Sequence, residues 1–131
     1  MPRTVVVFYK DEAGRVPVLE WLQALRRTDR KAYAKCVVRI RRLRDLGHEL
    51  RRPEADFLRD GIYELRIKKG RVQYRILYFF HGAQLAVLRH TLTKEGAIPD
   101  AEIERTITRK NAFARNPARH TYEEELTNGE D

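Results

Sequence analysis

The stretch that decides the fold is GIYELRIKKGRVQYRILYFF, residues 61–80. Apolar and polar residues alternate along both halves of this stretch, and alternation is the period of a half-buried strand. The halves are joined by KKGR, in which Gly70 can take the positive φ of a tight turn. We therefore predict a β-hairpin with the strands GIYELRIK and RVQYRILYFF.

The same alternation predicts which side chains of the hairpin share a face. One face is apolar and is expected to pack against the core; it carries Tyr63, Leu65, Ile67, Val72, Tyr74 and Ile76. The opposite face carries Glu64, Arg66 and Arg75. A face that only packs a core has no use for two arginines. We therefore expect this second face to bind a phosphate backbone.

The segments on either side of the hairpin predict an α+β domain. The predicted elements are a strand at 4–9, helices at 17–27 and 28–47, the hairpin, a strand at 84–94 and a helix that begins at Pro99. The first of them, TVVVFY, is a β-branched and aromatic run typical of a buried strand. The order βααβββα predicts a mostly antiparallel sheet with the N-terminal helical pair packed on one face.

Length and sequence pattern predict one domain followed by a tail. A chain of 131 residues has the length of one ordinary domain, which we place at residues 1–117. Residues 118–131 are polar and acidic without a helical or strand period, and they are predicted to be disordered.

The charge of the chain is unevenly distributed. The whole chain carries a net charge of +8, but five acidic residues lie in its last twelve positions, so residues 1–119 keep 27 basic and 14 acidic residues, a net charge of +13. A domain this basic is expected to attract a polyanion: RNA, DNA or an acidic protein. The alternative is an ordinary solvated surface.

Several classes of protein are not supported by the sequence. The single cysteine, Cys36, allows no intrachain disulfide, and the four histidines show no zinc-ligand spacing with it. No signal peptide or membrane-spanning apolar run is visible. We expect a cytoplasmic protein with no membrane partner, no metal and no cofactor.

Residues that could carry chemistry lie on the predicted strands. His90 and Lys94 are four residues apart on one strand, so they are expected to share a face. Arginines can neutralise a phosphate as its charge builds, and a glutamate, histidine or lysine can move protons. RNA is favoured because its 2′-hydroxyl is an internal nucleophile that needs no metal. The alternative is a binding surface only, in which Glu64 and Arg66 form an ion pair.

The hairpin, together with HTLTKEGAIPDAEIERTITRKNAF further along the chain, resembles the RelE/ParE superfamily of toxins from bacterial type II toxin-antitoxin systems. The HigB or phage Gp49-like branch is the most similar, and with the β-α-α start the resemblance covers residues 4–116. It implies a RelE-like fold and a metal-free endoribonuclease (mRNA interferase) that cleaves mRNA on the ribosome through the 2′-hydroxyl and inhibits translation. It also implies neutralisation by a helix-turn-helix (HigA-like) antitoxin.

The resemblance assigns roles to particular residues. Arg75 corresponds to the phosphate-stabilising arginine typical of the family, Arg66 to a basic residue on the preceding strand, and His90 and Lys94 to further active-site positions. With Glu64 as a candidate general base, the predicted catalytic set is Arg75, Arg66, Lys94, His90 and Glu64. The basic residues predicted to bind RNA around this set are Lys68, Lys69, Arg71 and Arg89.

The sequence departs from the branch at the end of the last strand, where HTLTKE replaces the usual H-G-F-x-K-K. Two other functions therefore stay open. A ParE-like toxin would use the same fold to inhibit DNA gyrase by binding it. A regulatory module would dock RNA on its basic face without cutting it.

Overall fold

The computed structural model describes residues 4–83, 85–93 and 96–126. Within these residues the chain forms an open, mostly antiparallel sheet of six strands with four helices, which confirms the α+β class. The strands are β1 (Val5–Tyr9), β2 (Ala55–Arg59), β3 (Ile62–Lys69), β4 (Val72–His81), β5 (Leu85–Thr93) and β6 (Thr121–Tyr122). The helices are α1 (Pro17–Thr28), α2 (Arg30–Leu46), α3 (Asp100–Arg115) and α4 (Pro117–His120), and a 3-10 turn spans Gly47–Glu49. None of these helices is long and apolar enough to cross a bilayer.

The strands lie in the order β2-β3-β4-β5-β1-β6. Neighbouring strands are antiparallel except β1 and β5, which run parallel. The predicted hairpin is confirmed: Lys69 lies opposite Val72, and Gly70 turns the chain with a φ of 59°. β3 and β4 are therefore central strands, and the register between them is fixed by a two-residue turn.

Asp29 and Gly47 set the two ends of α2. The Asp29 carboxylate accepts a hydrogen bond from the Ala32 N–H at 3.1 Å, which satisfies one of the free donors of the first turn. At the other end Gly47 has a φ of 54°, and a Cβ there would come within 2.1 Å of the Thr4 hydroxyl. Glycine is therefore required both for the backbone conformation and for the close approach of the N-terminal segment.

The helices α1 and α2 pack on one face of the sheet and form the larger core. Leu65, Ile67, Tyr74 and Ile76 belong to this core, as the alternation predicts, and Tyr63 packs at its margin. The prediction is wrong for Val72, which is 39% exposed. Val72 directly follows the hairpin turn and lies opposite Lys69 at the end of the two strands.

A second core lies on the opposite face of the sheet, beneath α3. It contains Val7, Tyr9, Ile62, Leu77, Phe79, Val87, Ile103 and Phe113. α3 is fastened to the edge of the sheet by Arg59, which bonds both Asp100 and Glu104 at 2.6 Å. α3 therefore partly covers the face of the sheet that was expected to bind a phosphate backbone.

Two segments differ from their prediction. Residues 55–59, expected to be loop, form the edge strand β2; this strand is short and has no β-branched residue, so it gives almost no sequence signal.

Residues 118–126, expected to be a disordered tail, contain α4 and β6 instead. β6 pairs with the free edge of β1, and Leu126 is only 9% exposed in the larger core. The tail residues 127–131 lie outside the described residues.

Candidate active site

Two rows of side chains cross the sheet on the face that α3 partly covers. The first row contains Asp56, Glu64, Leu77 and His90, and the second contains Arg66, Arg75 and Leu92. Residues directly opposite each other in antiparallel strands point to the same face. The structure thus brings together four of the five predicted catalytic side chains: Glu64, Arg66, Arg75 and His90. The fifth, Lys94, lies outside the described residues.

A β-bulge in β5 changes which residues face α3. His90 lies opposite Leu77, but the next pair joins Leu88 to Tyr78, so Arg89 has no opposite residue. Strict alternation would send Arg89 and His90 to opposite faces. With the bulge, the Arg89 guanidinium lies 5.1 Å from the centre of the Tyr9 ring in the second core, and His90 contacts Glu102 of α3. Two consecutive polar side chains therefore point to the same face.

Glu64 lies at the centre of a network of ion pairs. Arg66 donates from Nε to Glu64 Oε1 at 3.1 Å, and Arg75 Nε is 3.5 Å from the same oxygen. The outer nitrogen of Arg66 reaches Asp56 Oδ2 at 3.3 Å, and Asp56 also pairs with Arg52 at 2.9 Å. The hydrogen bond from Arg52 is the main reason that the pKa of Asp56 lies below its usual value. Three cations thus share two carboxylates, which leaves the network positively charged.

Arg75 is the most constrained cation in this network. It is 8% exposed, Glu64 beside it is 2% exposed, and Arg75 Nε has no hydrogen-bond partner among the described residues. This Nε lies close enough to Glu64 Oε1 for an ion pair but makes no hydrogen bond to it. A buried donor left without a hydrogen bond is costly in a purely structural role, so it is a signal of a binding or catalytic site.

His90 and Glu102 form a second pair on the same face. Burial lowers the pKa of His90 below its usual value, Glu102 opposes that shift, and Arg89 and Arg105 reinforce it. The imidazole is therefore neutral around pH 7, the form that can accept a proton. Glu102 contacts one ring nitrogen and can hold the orientation of the ring.

A known protein family matches the part of the chain that carries this site. Residues 20–111 match the family described as Phage derived protein Gp49-like (DUF891), which is more than half of the chain. The chain belongs to this Gp49-like family. The family is part of the RelE/HigB-like toxin-antitoxin superfamily, and membership is consistent with a toxin of a toxin-antitoxin system. No curated protein matches the chain.

The Gp49-like match covers the ion-pair network around Glu64 and the pair of His90 and Glu102. It runs from α1 to within α3, so it includes Glu64, Arg66, Arg75, His90 and Glu102. Sequence reasoning missed Glu102 and Asp56. Asp56 lies on the strand that was not predicted. Glu102 is visible in the first turn of a predicted helix, but no sequence signal sets the register of that helix over the sheet.

The basic residues predicted to bind RNA are not equivalent in this Gp49-like protein. Lys68 and Arg71 are exposed at the end of the hairpin. Lys69 instead bonds both carboxylate oxygens of Asp29, at 2.6 and 2.7 Å, and so ties the hairpin to the start of α2. Arg89 is half-buried beside Tyr9. The described residues contain no group of three or more His, Cys, Asp or Glu positioned to hold a metal ion.

Proposed function

We propose that this Gp49-like protein is the toxin of a type II toxin-antitoxin system and acts as an endoribonuclease. It would cleave mRNA in the cytoplasm, on the ribosome, and so inhibit translation. The observation that carries the proposal is Arg75: a buried guanidinium with an unmet Nε donor, next to the Glu64 carboxylate and on the same face as Arg66 and His90.

Arg75 and Arg66 are the groups proposed to hold the scissile phosphate. Both already contact one oxygen of Glu64, so their guanidinium groups point to the same place. A phosphate there would accept charge-assisted hydrogen bonds that strengthen as negative charge builds on its oxygens. Loss of one such donor typically costs about 10² to 10³ in rate.

His90 is the proposed general base. The 2′-oxygen of the RNA attacks the neighbouring phosphorus, the bond from phosphorus to the 5′-oxygen breaks, and the products are a 2′,3′-cyclic phosphate and a 5′-hydroxyl. The proton of the 2′-hydroxyl goes to the neutral imidazole, while the departing 5′-oxygen takes a proton from an acid. Of the predicted catalytic residues, Glu64 and Lys94 are the other two that can exchange protons.

The proposed partners follow from family and charge. Membership of a toxin-antitoxin family supports an antitoxin as a partner, and we propose a helix-turn-helix (HigA-like) protein in that role. The net charge of +8 supports binding to mRNA and the ribosome, both of which are polyanions.

The reaction can be tested with two RNA substrates that differ at one atom. Purified protein is incubated with ribosomes programmed by an mRNA, or by the same mRNA with a single 2′-deoxy nucleotide on the 5′ side of the cleaved bond. We expect cleavage of the first and none of the second at that bond, with a cyclic phosphate product. Cleavage of the deoxy substrate would rule out the 2′-hydroxyl mechanism. Intact RNA together with inhibited gyrase would favour the ParE-like alternative.

A further inference from the structure

Arg89 has an environment that the proposed reaction does not explain. It lies at the bulge of β5, half-buried, with its guanidinium over the ring of Tyr9. Its Nε is buried without a hydrogen-bond partner among the described residues. Stacking on an aromatic ring offsets part of the cost of burying the charge, but it does not satisfy the donor.

Arg109 of α3 makes this environment more positive. It is half-buried and forms no ion pair with any described residue. Burial, followed by the charge of Arg109, lowers the pKa of Arg89 below its usual value. Asp11 offsets this charge only in part, because it forms no ion pair with either arginine and its Oδ1 accepts backbone hydrogen bonds from Ala13 and Arg15 instead.

Two half-buried like charges that have no ion-pair partner among the described residues need another group to compensate for them. We infer that Arg89 and Arg109 form a second anion site, which holds a phosphate group outside the network of Arg75, Glu64 and Arg66. A phosphate group suits this pair, since its two non-bridging oxygens share a full negative charge and each can accept charge-assisted hydrogen bonds from one guanidinium fork.

The site lies within reach of the proposed catalytic residues. Arg89 directly precedes His90 in the chain, and Arg109 follows Glu102 by seven residues on α3, a rise of about 10 Å. One RNA chain can therefore contact both sites. The inference rests on the proposed function only in assigning the phosphate to the RNA substrate; the anion site itself is argued from the two arginines.

The test uses an RNA oligonucleotide with 2′-O-methyl groups, which cannot be cleaved. Its affinity is measured by fluorescence anisotropy over a range of salt concentrations for the wild type and for Arg109→Gln. The matched control is Arg115→Gln, which removes the same charge from an exposed position of the same helix. We expect Arg109→Gln to bind about tenfold more weakly. The plot of the logarithm of its binding constant against the logarithm of the salt concentration should be less steep by about 0.7, the contribution of one phosphate contact.

Equal affinities and equal salt slopes for Arg109→Gln and Arg115→Gln would overturn the inference, provided that inorganic phosphate also fails to bind. That second arm follows the NMR signal of the Arg89 Nε–H during a phosphate titration of the wild type and of Arg109→Gln. A saturable shift in the wild type alone supports an anion site, and competition by the oligonucleotide then assigns it to RNA. A shift without competition assigns it to free phosphate. Both measurements report binding and not cleavage. They therefore test the anion site even if the protein cuts no RNA.

Discussion

At the scale of single residues, the site depends on charged groups whose burial does not by itself stabilise the fold. Glu64 and Arg75 are both almost fully buried, and Arg66 completes the group. Replacing such a group by apolar residues is often neutral or stabilising, whereas removing one partner leaves a charge buried alone. The sequence could predict that these residues share a face, because strand alternation sets it. It could not predict their burial, which depends on where α3 crosses the sheet.

Glu64→Gln is expected to lower the free energy of unfolding by about 3 kcal/mol, because Arg75 and Arg66 would then face each other without the carboxylate. Urea unfolding measures the change. The matched control is Glu20→Gln, which breaks the exposed pair with Arg15 and should leave the free energy of unfolding almost unchanged. If Glu64→Gln lowers the free energy of unfolding as little as Glu20→Gln does, Glu64 is not the central partner of the two arginines.

Glu102→Gln should change the pH dependence of RNA cleavage. Glu102 raises the pKa of His90 against the larger lowering by burial, so its removal should lower that pKa further. A base works only when unprotonated, and the acid limb of the rate should therefore move to lower pH. The control, Glu104→Gln, removes the same charge from a position of α3 that pairs with Arg59. An acid limb that does not move would contradict the role of His90 as the base that Glu102 orients.

At the scale of elements, the structure differs from the sequence-based prediction where pairing is not local. The hairpin of β3 and β4 could be predicted because a two-residue turn fixes its register. β6 could not, since TY gains its strand conformation only from the free edge of β1. The sequence does not predict the bulge in β5 either, although this bulge brings Arg89 to the same face as His90.

Leu126→Ala tests whether the segment after β6 is a packed part of the domain. Leu126 joins the larger core, and Arg41 donates a hydrogen bond to its carbonyl at 2.8 Å. We expect a loss of about 2 kcal/mol in the free energy of unfolding, at the low end for a buried leucine because the segment is terminal. Val38→Ala at an exposed position of α2 is the control. An unchanged urea midpoint for Leu126→Ala would favour the predicted disordered tail.

At the scale of the whole molecule, the described part of the acidic C-terminal segment lies on the other side of the sheet from the proposed site. Glu125 approaches Arg44 of α2 at 3.9 Å, on the side of the sheet that α1 and α2 cover. Arg75 and Arg89 lie on the side of α3. The described acids of the C-terminal segment therefore do not cover the proposed RNA-binding face.

The central claim is that the buried Arg75 serves RNA cleavage. Primer extension on cellular transcripts, after induction of the wild type or of Arg75→Gln without antitoxin, tests it most directly, with far-UV circular dichroism of the purified variant as the control for folding. We expect new 5′ ends within reading frames for the wild type and their loss for a folded Arg75→Gln variant, because a stabilising donor is missing. The same new ends in the folded variant, or intact transcripts in arrested wild-type cells, would contradict the proposal.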